Sequence, residues 1–135
     1  MLVVVTVLGC LAAAALPSPA SAYTAFWSPG RTVGCVIDPG FARCDARRPA
    51  WSVPPRPAWC RAEYGQGAVV TWTGRSGLVC ADDTALLARP GRILPYGRVV
   101  RFGRLGCKST PRYVVCQNLR TGHGFRMSGT RYRLF

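Results

Sequence analysis

The residues from 34 to 45 read GCVIDPGFARCD, and this stretch decides the fold. Its two cysteines, Cys35 and Cys44, lie nine positions apart on either side of a Pro-Gly pair. If the cysteines face each other across a hairpin, the turn falls on Pro39-Gly40, where the fixed φ of proline suits the first central position. Directly opposed residues of antiparallel strands are close enough for a disulfide. The stretch therefore predicts a hairpin closed by a Cys35–Cys44 bond.

A second stretch repeats this pattern, because residues 106 to 117 read GCKSTPRYVVCQ. The same register argument predicts a Cys107–Cys116 bond and a turn on Pro111-Arg112. Cys60 and Cys80 then pair by elimination. Their bond would tie the end of a proline-rich segment, residues 49–57, to a further hairpin closed by Gly74-Arg75-Ser76-Gly77, in which Trp72 would face Val79.

The rest of the chain favours short strands over helices. Fifteen glycines and eleven prolines interrupt it, and no stretch keeps a helical spacing of apolar residues. Runs rich in Val, Thr, Tyr, Phe and Trp lie between turn residues; they are Thr32–Asp38, Phe41–Asp45, Ala68–Thr73, Leu78–Asp82, Arg98–Phe102, Tyr113–Asn118, Phe125–Met127 and Tyr132–Phe135. The pattern predicts an all-β domain, a small disulfide-stapled antiparallel barrel or sandwich of about six to eight short strands with little or no helix.

An apolar leader precedes this domain. Met1 to Leu16 is apolar and is followed by the cleavage signal Ala20-Ser21-Ala22, so residues 1–22 are predicted to be a secretory signal peptide and residues 23–135 a single disulfide-bonded β domain. Six cysteines behind such a leader indicate an oxidising, extracellular or cell-envelope location. In an alternative interpretation, Cys10 is the acylated residue of a lipoprotein box. A run of about 16 apolar residues is too short to span a bilayer, so no membrane span is expected in the mature form.

The net charge of +13 belongs to the predicted domain, since every charged residue lies beyond the leader. Such a field attracts polyanions, and all but one of the 18 cations are arginine, which binds phosphate and carboxylate through a fork of N–H donors. Arg101, Arg131 and Arg133 are candidate binding residues, and Tyr132 between the last two is placed to stack on a base or a sugar. Codon bias and solvated strand edges guarded by arginine are the alternative explanations. The four tryptophans are either a carbohydrate platform or core residues.

Catalytic and metal-binding signatures are missing from the sequence. No close Cys or His pairs of zinc-site spacing occur and no nucleophile motif is present, so neither a metal nor a cofactor is expected. His123, the single histidine, and Glu63, the single glutamate, are the acid–base pair that a small basic ribonuclease would need. We expect them to lie far apart, with His123 in a purely structural turn.

Several motifs together resemble a known family; they are Ser28-Pro29, Gly34-Cys35, Cys44-Asp45, Trp51-x-x-Pro54-Pro55-Arg56-Pro57-Ala58-x-Cys60, Gly65-Gln66-Gly67, Val79-Cys80-Ala81-Asp82-Asp83-Thr84, Leu94-Pro95-Tyr96-Gly97, Cys107, Cys116-Gln117-Asn118, Thr121-Gly122-His123-Gly124-Phe125 and Tyr132-Arg133-Leu134-Phe135. This order is similar to that of an uncharacterised family of secreted actinobacterial proteins, prominent in mycobacteria, that is classed as a domain of unknown function. The chain departs from the family at Gly30-Arg31-Thr32 and at Asp82. The resemblance implies export and a six-cysteine β domain, and it implies no activity.

The sequence thus favours a non-enzymatic secreted or cell-envelope-associated binding domain. Its ligand is unknown, and charge favours an anionic cell-envelope polymer or a host surface. One alternative is a small secreted ribonuclease-like hydrolase that uses Glu63 and His123. Another is an inhibitor of a secreted enzyme that presents Pro54-Pro55-Arg56-Pro57 or a hairpin tip as a rigid loop.

Overall fold

A computed structural model describes residues 24–87 and 91–135 of the chain. The predicted signal peptide, its cleavage after Ala22 and the alternative acylation of Cys10 concern residues outside this described part. Within it, the domain is built of two antiparallel five-stranded sheets, and its only helical segment is a 3-10 turn at Ala85–Leu87.

Each sheet is a meander in which every strand pairs with the next along the chain. The first sheet contains β1 (Thr24–Trp27), β2 (Val33–Ile37), β3 (Phe41–Ala46), β4 (Tyr64–Thr71) and β5 (Ser76–Cys80), in that order. The second contains β6 (Val99–Phe102), β7 (Leu105–Ser109), β8 (Val114–Asn118), β9 (Gly124–Met127) and β10 (Tyr132–Leu134). The all-β prediction is confirmed.

The finer part of the fold prediction is wrong in strand number, since the described residues form ten strands rather than six to eight. Of the two predicted architectures, the barrel is excluded because the two sheets do not close on each other. The strands absent from the predicted runs are β1 and β7. The Cys107–Cys116 hairpin requires β7, but its sequence, LGCKS, contains glycine, lysine and serine, and TAFW of β1 is only four residues long, so neither gives a strong strand pattern by itself.

The cysteine hairpins have the predicted register. Cys35 faces Cys44 and Cys107 faces Cys116, and each pair forms a disulfide, with Cα atoms 4.1 and 4.0 Å apart respectively. The third bond is Cys60–Cys80. It ties the segment that follows β3 to the last residue of β5.

The predicted register of the β4–β5 hairpin is wrong. Val70 pairs with Ser76 at the start of β5, so Trp72 does not face Val79. Thr71 N–H donates to the carbonyl of Arg75 at 2.8 Å. The loop is therefore Trp72-Thr73-Gly74, closed by Gly74 at φ +94°. A three-residue hairpin loop needs a residue with positive φ at this position, and glycine adopts it without strain.

The sheets pack face to face around the two cross-strand disulfides. The inner face of each sheet contributes a row of apolar side chains that crosses the cysteine pair, and the row of the second sheet includes Phe125. At the centre, Cys44 Sγ lies 3.6 Å from Cys116 Sγ, and both residues are fully buried. The disulfides thus form the middle of the core, and charged side chains are left to the outer faces and the edges.

The sheets are equivalent in more than strand order. Each disulfide joins the second and third strands of its meander. In the fourth strand, Gly67 faces Asp45 in one sheet and Gly124 faces Gln117 in the other. A Cβ atom at either glycine would collide with the carbonyl oxygen of the neighbouring cysteine, Cys44 or Cys116. The two sheets therefore share strand order, disulfide position and a close glycine contact in the fourth strand.

Candidate functional site

Ion pairing in the described residues is concentrated on Arg43. Its guanidinium donates to both carboxylate oxygens of Asp45, at 3.0 and 2.7 Å, and to Asp83 at 2.7 Å. Asp45 is fully buried. Burial lowers the pKa of Arg43, but hydrogen bonds and Coulomb attraction from Asp45 and Asp83 outweigh it and hold the pKa above its ordinary value. Both ion pairs within 4.0 Å in the described part of the chain involve this arginine.

The acidic residues are gathered on one side of the molecule. Four of the chain's five carboxylates, those of Asp45, Glu63, Asp82 and Asp83, line one open depression. The fifth, that of Asp38, accepts hydrogen bonds from the Gly40 and Phe41 N–H groups in the β2–β3 turn. The acids are thus segregated from most of the arginines.

A second depression, of about 540 Å³, is lined by four arginines. We call it the arginine groove; its lining residues are Arg112, Tyr113, Arg126, Met127, Ser128, Thr130, Arg131, Tyr132 and Arg133. No carboxylate lines it. Its guanidinium groups carry +4 with no countercharge among the residues that line it.

Two strands and two turns of the second sheet position these arginines. Arg126 on β9 and Arg133 on β10 are direct cross-strand partners. Met127 beside Arg126 is buried, so strand alternation turns both arginines to the outer face. Arg112 follows Pro111 in the β7–β8 turn. Arg131 lies in the β9–β10 turn, where its carbonyl accepts from Ser128 N–H at 2.8 Å.

The facing of Arg126 and Arg133 has an energetic consequence. Like charges directly opposite each other on neighbouring strands destabilise a sheet. Within the described chain neither guanidinium has a carboxylate within 4.0 Å to offset that repulsion. An anion bound between them would relieve it.

The groove also contains two tyrosines, whose rings make different contacts. The Arg126 guanidinium lies 5.3 Å from the centroid of the Tyr113 ring, which is within the range of a cation–π contact. Tyr132 is half-buried, and its ring meets that of Trp51 edge-on with centroids 5.4 Å apart. Packing against Trp51 and the core therefore covers part of the Tyr132 ring, and the ring is less open to a ligand than an exposed one.

The predicted binding residues divide into two groups. Arg131, Tyr132 and Arg133 all line the arginine groove. Arg101 does not, because it lies on β6, at the opposite edge of the same sheet. Sequence reasoning missed Arg112, Tyr113 and Arg126. Alternation outward from buried Cys116 indicates that Tyr113 and Val115 face away from the core, and this signal was available.

The predicted acid–base pair lines two different depressions. Glu63 lines the open depression that Asp45, Asp82 and Asp83 also line. His123 is exposed in the β8–β9 turn and lines another depression with Thr121 and the tip of the β4–β5 hairpin. The structure therefore does not bring the pair together in one depression.

The four tryptophans occupy different environments. Trp27 is buried, and Trp51 and Trp72 are half-buried against the core. Trp59 is 69% exposed. The proline-rich candidate loop, Pro54 to Pro57, runs along the surface just before Trp59, and the disulfide of Cys60 holds its end.

Metal-ligand geometry in the described residues is limited to one group of sulfurs. Cys35, Cys44 and Cys116 have sulfur atoms within 4.8 Å of one another. All three are disulfide-bonded, so they offer no thiolate to an ion.

Two further findings concern the chain as a whole. In the described ranges, no helix has both the length and the apolar character needed to cross a membrane. Comparison with known proteins gives no match, whether to a family model, to a curated sequence or to a solved structure.

Proposed function

We propose that this domain is a non-enzymatic binding module for anionic polymers, secreted or held at the cell envelope, and that the arginine groove is its binding site. The observation that carries the proposal is the set of four arginines in one depression without a carboxylate. Three disulfides in so small a domain support an oxidising location.

The chemistry of the groove favours an anion with several charges. Each guanidinium presents N–H donors that match two oxygens of a phosphate, sulfate or carboxylate group. Arg126 and Arg133 face each other, and Arg112 and Arg131 lie on turns that line the same depression. A ligand with repeated anionic groups can engage several of them at once.

Long-range charge supports the same ligand class. The net charge of +13 draws polyanions toward the domain. Because four of the five carboxylates line another depression, the domain attracts a polyanion most strongly at surfaces away from that depression.

The test is a binding titration with linear polyphosphate, a polyanion that contains no rings. Replacing Arg131 and Arg133 together with alanine should weaken binding by about tenfold or more, since each charge-assisted hydrogen bond contributes roughly 1.5–3 kcal/mol. The matched control, Arg101→Ala/Arg120→Ala, removes the same charge at exposed positions that do not line the groove.

The control variant should bind within about threefold of the unaltered protein, the change expected from loss of long-range attraction alone. Equal weakening by the two double variants would mean that net charge, and not the groove, binds the polymer. No measurable binding by the unaltered protein would refute the proposed function.

A further inference from the structure

Trp59 is the most exposed large apolar side chain in the described part of the chain, at 69%. Its backbone is nevertheless fixed. Cys60 N–H donates to the Pro57 carbonyl at 3.0 Å, and buried Cys60 is bonded to Cys80. The indole also meets the Tyr64 ring edge-on, with centroids 6.4 Å apart and ring planes at 88°. The chain therefore presents a rigid apolar ring to solvent.

This ring lines a depression of about 420 Å³ beside the arginine groove. Its wall is largely apolar, with Pro54, Leu78 and Leu134 among the lining residues, and Arg75 adds a positive charge. Tyr132 lines both this depression and the arginine groove. The two sites adjoin along β10, so a single extended ligand can occupy both.

We infer that the ligand is an anionic polysaccharide, one sugar ring of which stacks on Trp59 while its charged substituents bind in the arginine groove. This inference rests on the proposed function above and names the ligand class for it. A sugar ring has an apolar C–H face and a polar rim. Trp59 matches the face, and Arg75 lies in the same depression to donate to the rim. The Ser76 hydroxyl there donates to the Phe135 carbonyl at 3.0 Å and can accept a hydrogen bond from a sugar hydroxyl.

The number of open aromatic rings favours a polysaccharide over single-stranded nucleic acid. Sites for single strands stack successive bases on several aromatic side chains along a basic groove. Here Arg126 contacts Tyr113, and Tyr132 is packed edge-on against Trp51. Trp59 alone among the aromatic residues of these two depressions is freely exposed, which suits one ring of a glycan.

The experiment compares three polyanions of matched charge: a heparin oligosaccharide, linear polyphosphate and oligo-dT. The variant is Trp59→Ala, and the control is Leu119→Ala, which truncates another exposed apolar residue in the turn after β8. We expect Trp59→Ala to weaken heparin binding about fivefold, as loss of an aromatic contact predicts. Polyphosphate binding should change by less than about twofold, because no ring is there to stack.

The outcomes separate the inference from the function on which it rests. Unchanged heparin binding by Trp59→Ala, with polyphosphate still bound through Arg131 and Arg133, overturns the inference and leaves the proposed function standing. Tighter binding of oligo-dT than of heparin, lost on Trp59→Ala, overturns the inference in favour of nucleic acid. Failure of all three polyanions to bind the unaltered protein overturns both. Loss of heparin binding in Leu119→Ala as well would make the effect non-specific and also refutes the stacking role.

Discussion

Arg43 shows how one residue fixes a local structure on the outer face of the first sheet. Its fork holds the buried carboxylate of Asp45, and the other Asp45 contact is the N–H of Ala85, at 3.0 Å. Arg43 also donates to the Asp83 carbonyl at 2.8 Å. The pair thereby ties the 3-10 turn and the residues before it to β3. The pKa of Arg43 is raised above an already high value, so its guanidinium is charged at neutral pH.

Removing Arg43 should therefore be costly. We expect Arg43→Met to lower the free energy of unfolding by about 3–5 kcal/mol, because it keeps the apolar bulk but leaves a carboxylate buried without its partner. Urea unfolding followed by circular dichroism measures this loss. The double variant Arg43→Met/Asp45→Asn buries no charge and should recover part of it. A loss below about 1 kcal/mol in the single variant would contradict this role for the pair.

His123 illustrates a residue whose chemistry suggested more than its surroundings support. It lies in an exposed turn where its backbone N–H donates to Thr121 Oγ1 at 3.3 Å, and Glu63 lines a different depression. General acid–base catalysis requires both groups within hydrogen-bond reach of one substrate.

We expect His123→Ala and Glu63→Gln to leave any ribonuclease signal of the purified protein at the level of a buffer blank, as in the unaltered chain. RNA cleavage followed by gel electrophoresis is the measurement. A signal that disappears in both variants would restore the hydrolase alternative.

At the scale of elements, the fourth strand of each meander depends on one glycine. Gly67 and Gly124 lie where a Cβ would collide with the backbone of the cysteine strand, so alanine at either site must push two paired strands apart. Each substitution should destabilise the domain by about 1–3 kcal/mol or more. Gly77→Ala in β5 is the control, because no atom lies within 4 Å of the position that the alanine methyl group would take, and it should stay within about 0.5 kcal/mol. Thermal unfolding compares the three variants. Equal stabilities would contradict the close contact of Gly67 and Gly124 with the cysteine strands as a packing constraint.

The element scale also shows what the sequence can and cannot predict. Cysteine spacing and a central proline determine both disulfide hairpins, since side-chain pairing across a hairpin follows from the turn alone. The same reasoning fails for the β4–β5 hairpin, because the loop is Trp72-Thr73-Gly74, closed by the positive φ of Gly74, and not the predicted Gly74-Arg75-Ser76-Gly77. The turn residues Pro29-Gly30 follow β1, but its four residues give no strong strand pattern, and in the structure β1 pairs with β2 on one side while Trp27 bridges to Ile93 on the other.

The same limit applies to the candidate site. Arg131 and Arg133 are neighbours in sequence and could be linked by inspection. Arg112 and Arg126 join them only because β8, β9 and β10 are adjacent in the second sheet. These strands follow one another along the chain, but the register that sets Arg126 opposite Arg133 depends on packing against the rest of the domain, so the local pattern does not predict it.

At the scale of the whole molecule, two of the three disulfides lie in the core and most charged side chains lie on the surface. These two cross-strand bonds lie at the centre of the apolar core and stabilise it in a small domain. On the outer surface of the domain, four carboxylates line one depression and four arginines line another. This segregation is the basis of the anion site that we propose.

The most direct test of that claim is an NMR titration of the arginine side-chain Nε–Hε resonances with linear polyphosphate. We expect the resonances of Arg112, Arg126, Arg131 and Arg133 to shift first and furthest. Those of Arg43, held by Asp45, and Arg101, at the far edge of the sheet, should not move. Shifts spread evenly over the exposed arginines, or centred on Arg101, would contradict it.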